Sequence, residues 1–162
     1  LQELSNTNVS DSMTWIRAKA RLALVRVMVQ EAAGLRLSGN KRAAKRLVLR
    51  SGLVSNAEKQ AIAMFELGEP EFALEGLLLL GDAYMDLYRD MLEYPPPRSI
   101  PPEEHANYRQ AVEHKASILR LKAHARYDEG VRVAARTRWQ GRVTKELKAK
   151  RAETAVESPE VP

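Results

Sequence analysis

The chain contains no cysteine, which excludes disulfides, thiolate zinc sites and cysteine nucleophiles together. Aromatic residues make up only 6% of it, so an interior of leucine and alanine is expected rather than one of stacked rings. Most of its eight prolines stand between Pro95 and Pro102 or at the C-terminus, which leaves long stretches free of helix breakers. No alternation of β-branched residues marks a strand. Apolar runs such as Leu77 to Leu80 are too short to cross a bilayer, so no transmembrane segment is expected. A Walker loop and a Gly-x-Gly-x-x-Gly fingerprint are missing, and neither Ser38-Gly39 nor Ser51-Gly52 sits in a nucleophile-elbow frame. His105, His114 and His124 lie nine and ten residues apart, whereas two ligands on one helix face need three or four. Glu103 and Glu104 are adjacent and point in different directions, so they read as the charged first turn of a helix rather than an acid/base pair. No catalytic residue, cofactor site or metal site is expected, and the chain is read as non-enzymatic.

What is present points to helices. With 162 residues, 44% of them apolar, the chain is one domain's worth and long enough for a real core. Residues 1–11 are polar and aperiodic and read as a flexible lead-in, with Ser10 or Asp11 as an N-cap. Residues 12–150 read as the helical domain and 151–162 as a disordered tail. In the first helix Ile16, Ala20, Ala23, Leu24, Val27 and Met28 form a stripe, and Gly34 is a natural stop. Asn40 is a candidate cap for a second segment reaching Leu67, with a break near Gly52. Pro70 suits the first turn of a third helix that ends near Glu93. The prolines from Pro95 to Pro102 then impose an extended corner. Beyond it Tyr108, Ala111, Val112, Ile118, Leu119, Ala125 and Val133 form an apolar seam, in a pattern that persists to about Leu147.

The third helix organises the rest. Leu77, Leu80, Gly81, Tyr84, Leu87, Tyr88, Met91 and Leu92 recur at steps of three and four, with Glu75, Asp82, Asp86, Arg89, Asp90 and Glu93 mostly opposite. The spacing Leu77-x-x-Leu80-Gly81-x-x-Tyr84 resembles the first helix of a tetratricopeptide repeat, with Leu77 where that family usually has Trp. Past the prolines, Ala123, Tyr127 and Gly130 have the spacing of its second helix. The two halves are thus read as one repeat, separated by a proline-rich corner and extra turns.

A wider resemblance rests on the Ala-rich first helix, Gly68-Glu69-Pro70-Glu71, the Leu-Gly-x-x-Tyr helix and the segment from Pro101 through Glu103 to Tyr108-Arg109. Together these resemble the C-terminal region of large tetratricopeptide-repeat proteins of myxobacteria and related bacteria, including envelope scaffolds of gliding motility. The resemblance implies an all-α, TPR-like antiparallel array of about four long helices with a Pro-rich corner. It also implies a protein-binding scaffold without chemistry of its own, periplasmic or envelope-associated. A lone repeat pair leaves faces unburied, so a second copy of the chain or preceding repeats are expected neighbours.

Charge supplies the remaining signal. The net charge is +5 and the sequence pI about 9.6. Arg36, Lys41, Arg42, Lys45, Arg46 and Arg50 form one basic cluster, the stretch from Glu66 to Glu104 is acidic, and Lys115 onward is rich in Arg and Lys. These are read as solvated faces with the acidic third helix packed beside basic neighbours, as a surface for an acidic protein or anionic lipid, or as a phosphate-tracking helix with Trp139 among its arginines. Arg132, Arg136, Arg138 and Arg142 are the residues expected to contact an acidic peptide or helix. Nucleic acid is the alternative partner of the same segment.

Overall fold

The computed structural model describes residues 2–37 and 42–155, in side-chain detail for 12–37 and 42–155. Among the described residues there are five α-helices and no strand: α1 Gln2–Gly34, α2 Ala43–Phe65, α3 Pro70–Leu92, α4 His105–Thr137 and α5 Arg142–Thr154. A single 3-10 turn, Pro102–Glu104, leads into α4. The all-helical class expected from the sequence is found, with a fifth, shorter helix beyond the four long ones. No helix among these residues is long and apolar enough to cross a membrane. The candidate cap Asn40, the Ser38-Gly39 pair and residues 156–162 of the expected tail lie outside the described residues.

α3 packs against each of the other four helices. Its composition explains why. Ala73, Leu74, Gly76, Leu77, Leu78 and Leu80 are all buried, as are Gly81, Ala83, Tyr84 and Leu87 farther along. A helix with so wide an apolar face leaves only a narrow polar strip for water and goes to the centre. Each leucine buried there contributes roughly 1.5–3 kcal/mol relative to exposure. Leu74, Leu78 and Tyr84 join Ala123, Tyr127 and Leu147 of α4 and α5 in one apolar cluster. Phe72 and Leu80 join Leu22, Val25, Ala57 and Met64 of α1 and α2 in the other.

Two glycines set how closely the elements approach. A Cβ on Gly81 would overlap the Tyr127 ring, and one on Gly130 would come within 2.8 Å of the Leu147 methyls. Only hydrogen on these α-carbons lets α4 lie on α3 and α5 lie on α4. The Tyr127 hydroxyl then donates to Asp82 Oδ1 at 2.8 Å, and Lys150 Nζ donates to the same oxygen at 2.7 Å. One carboxylate thus ties α3, α4 and α5 together.

Several sequence expectations are corrected. α1 begins at Gln2, not after a cap at Ser10 or Asp11. α2 runs unbroken through Gly52, which is exposed with nothing near its α-carbon. One exposed helical glycine costs about 1 kcal/mol, and burial of the neighbouring Val54 and Ala57 outweighs it. Ala152–Thr154 belong to α5 rather than to a tail. In α1 the buried line is Ala18, Leu22, Val25 and Ala32, whereas Ile16, Ala20, Ala23, Leu24 and Val27 face outward. In α4 the buried line is Ala116, Ala123, Tyr127, Gly130, Val133 and Ala134. Of the expected seam only Val133 is buried, and Ala111, Ile118 and Ala125 are exposed. Small residues line the buried side of both helices, because close approach to a neighbour favours Ala and Gly over larger apolar side chains.

The helical pattern also fails to continue to Leu147, because α4 ends at Thr137. Arg138 takes a left-handed conformation, φ 56° and ψ 25°. Its N–H donates to Ala135 O at 3.3 Å, and that of Trp139 to Ala134 O at 2.9 Å. This pair of bonds is a Schellman ending, which usually carries glycine where Arg138 stands. Without that glycine the stop had no sequence signal.

Candidate functional site

The charged residues sort into those with partners inside the fold and those without. Asp90, expected on the outer side of α3, is fully buried. Its Oδ2 accepts from Arg50 Nη1 at 2.6 Å and from the Leu37 N–H at 2.8 Å. Arg50, part of the basic cluster near the start of α2, is therefore interior rather than surface. Burial pulls its guanidinium below the usual range, against the attraction of Asp90. Arg36 lies 3.4 Å from Asp90 Oδ1 and 3.3 Å from Glu93. Arg26 meets Glu75 at 2.6 Å. The acidic face of α3 is thus matched by basic neighbours on α1, α2 and α5, as one reading of the charge pattern expects.

Tyr84 and Tyr127 are core residues, whereas Tyr88 and Tyr108 are half-buried. The Tyr84 hydroxyl donates to Glu58 Oε2 at 3.2 Å. Burial and the Glu58 carboxylate push its ionisation up to about 12. Burial, then the hydrogen bond to Asp82, pushes Tyr127 higher still. The histidines serve separate local contacts: His105 Nε2 lies 3.1 Å from Ile100 O, and His124 Nδ1 lies 3.1 Å from Thr154 Oγ1. Among the described residues no three His, Asp or Glu gather as metal ligands would.

The end of α4 and the start of α5 form the most distinctive recess. The Schellman ending turns the chain at Arg138, and Thr144 Oγ1 donates back to Trp139 O at 3.3 Å, fixing the corner. Between the helices lies a cleft of about 500 Å³. Val131, Ala134 and Ala135 give it an apolar side, and Arg138, Trp139, Lys145 and Lys148 surround its mouth. The Trp139 side is 38% exposed, so its ring is available to a ligand. A smaller pocket of 280 Å³ at the other end of α4, lined by Leu47, Met91, Tyr94, Tyr108 and Val112, has no charged side chain on it.

The four arginines singled out from sequence do not act alike. Arg132 is paired with Asp128 at 3.2 Å and Arg142 with Glu146 at 2.7 Å, each one turn away on its own helix. Arg136 is exposed and makes no ion pair among the described residues, but does not line the cleft. Arg138 does line it and likewise makes no ion pair among the described residues. Lys145 and Lys148, not singled out from sequence, also line it and make none among those residues. Their three-residue spacing, which puts two side chains on one helix face, was the signal available.

The cleft therefore combines three cations that make no ion pair among the described residues, an aromatic ring and an apolar wall. Comparison with family models, with curated proteins and with solved structures finds no match for this chain.

Proposed function

We propose that this chain is a non-catalytic protein-interaction scaffold of tetratricopeptide type, and that the α4–α5 cleft holds an acidic segment of its partner. The observation that carries the reading is the set of Arg138, Lys145 and Lys148, without ion pairs among the described residues, around a cleft walled by Val131, Ala134 and Ala135. Nearby Arg132 and Arg142 each pair with an acid on their own helix, which sets the three cleft cations apart from them. An apolar wall favours a peptide with leucine- or phenylalanine-like side chains among its carboxylates.

The repeat-like pairing supports the scaffold part. Gly81 of the first motif receives the ring of Tyr127 of the second, so the two stretches that carry the sequence resemblance pack together. Contacts between α3 and α4 run in opposite order, Gly81 to Tyr127 and Tyr84 to Lys122, as antiparallel neighbours require. A bacterial envelope assembly is the setting this reading carries with it.

Trp139 favours a second reading, single-stranded nucleic acid, because an exposed ring beside cations can stack a base. Fluorescence anisotropy with two labelled probes of equal charge separates them: an acidic amphipathic peptide and a single-stranded oligonucleotide. Tighter binding of the peptide, lost in Lys145→Glu/Lys148→Glu, is the expected result. Preference for the oligonucleotide, with a steep fall in affinity as salt rises, would replace the first reading by the second.

A further inference from the structure

α1 is apolar on two opposite sides, and the fold uses one of them. Ala18, Leu22, Val25 and Ala32 face the core. On the other side Met13, Ile16, Ala20, Ala23 and Val27 follow at alternating steps of three and four, the spacing of a coiled-coil seam. Met13 is 49% exposed, Ile16 53% and Val27 53%. Leu24, beside the seam, is 47% exposed. The two alanines at its middle allow a neighbouring helix to approach closely.

The charges bordering this seam select its occupant. On the Leu24 border stand Arg17 and Glu31, each seven residues from Leu24 and on opposite sides of it. Both are exposed, and neither makes an ion pair among the described residues. On the other border Arg26 is already held by Glu75, and Lys19 lies over the Trp15 ring. We infer that a second copy of this chain occupies the face, with the two α1 helices antiparallel about Leu24. That register sets Arg17 beside Glu31 of the second copy, twice by symmetry, and Leu24 against its equivalent. A parallel in-register pair would instead face each border with the opposite one, setting Glu31 near Arg26, already held by Glu75, and leaving Arg17 without an acid across from it. The inference stands apart from the α4–α5 cleft.

Sedimentation of the full chain over a wide concentration range tests it. A monomer–dimer equilibrium is expected. Leu24→Glu is expected to weaken self-association by about tenfold or more, with helicity unchanged because Leu24 is 47% exposed and belongs to neither apolar cluster. Arg17→Glu alone is expected to weaken the dimer, and Arg17→Glu/Glu31→Arg to restore it. A chain that stays monomeric at every concentration overturns the inference and leaves the face to another partner. So does a dimer indifferent to Leu24→Glu, or one in which the charge exchange gives no rescue.

Discussion

Arg50 and Asp90 meet at 2.6 Å in the interior, with 1% and 0% of their side chains exposed. They join the start of α2 to the end of α3, and Asp90 also holds the Leu37 N–H after α1. The pair is not fully satisfied, since Arg50 Nε has no hydrogen-bond acceptor among the described residues. Asp90→Leu leaves the Arg50 charge buried and alone and is expected to cost about 3–5 kcal/mol in urea unfolding, whereas Arg50→Met leaves Asp90 with Arg36 and the Leu37 N–H and is expected to cost less. The double variant is expected to recover most of this. The residual loss reflects the Leu37 N–H, whose orphaning costs about 1–3 kcal/mol. A double variant no better than the worse single would show that the bond to Leu37, rather than the ion pair, dominates.

Gly81→Ala and Gly52→Ala make the same chemical change with opposite expected signs. At Gly81 the methyl meets the Tyr127 ring, and overpacking of this kind costs about 1–3 kcal/mol. At Gly52 the methyl meets nothing, and the helix gains roughly 0.5–1 kcal/mol. Thermal unfolding of the two variants, measured side by side, checks both signs.

Alkali is expected to unfold the protein partly through Tyr84. Its ionisation lies at 10.0 in the unfolded chain and is pushed up to about 12 in the fold. Above pH 10 the unfolded state binds fewer protons than the folded one, so stability is full below pH 10 and falls as pH rises towards 12. One such group contributes at most about 1.4 kcal/mol per pH unit. Tyr84→Phe is expected to flatten the fall above pH 10, while near neutrality it loses only the bond to Glu58, roughly 0.5–1.5 kcal/mol. Urea midpoints on either side of pH 10 provide the comparison.

Arg138 is held in a conformation that glycine adopts more readily. Arg138→Gly is expected to stabilise the fold by about 0.5–1 kcal/mol, yet to weaken binding of an acidic peptide by removing one of the three cleft cations. Arg138→Ala is expected to weaken binding similarly without the gain in stability. If Arg138→Gly left peptide affinity unchanged, the cleft assignment would fail while the account of the helix ending stood.

Much of the helical framework was legible because its punctuation is chemical. Pro70 opens α3, Gly34 closes α1, and the prolines after Tyr94 keep α3 and α4 apart. The stop at Arg138 was not legible, since an arginine carries no signal for a left-handed turn. The faces of α1 and α4 were misread for another reason. α1 carries apolar residues on two opposite sides, so periodicity alone could not choose between them, and in α4 the interior takes the small Ala116 and Ala123 rather than Ile118. At the candidate site Arg138 was anticipated. Lys145 and Lys148 became distinguishable from the other cations only once the intrahelical pairs of Arg132 and Arg142 were seen.

α5 has 13 residues, short for a helix that must persist in water unaided. It stays formed because Leu147 lies over Gly130, Lys150 reaches Asp82, and Arg151 reaches Asp128. His124 to Thr154 and Arg120 to the Ala155 carbonyl add to these anchors, but as the shortest of the five helices α5 is the one expected to open locally while α1 to α4 remain closed. Each opening removes Lys145 and Lys148 from the wall and abolishes the cleft. A ligand there must therefore favour the docked helix by mass action, making the slowing of amide exchange along α5 a direct gauge of occupancy.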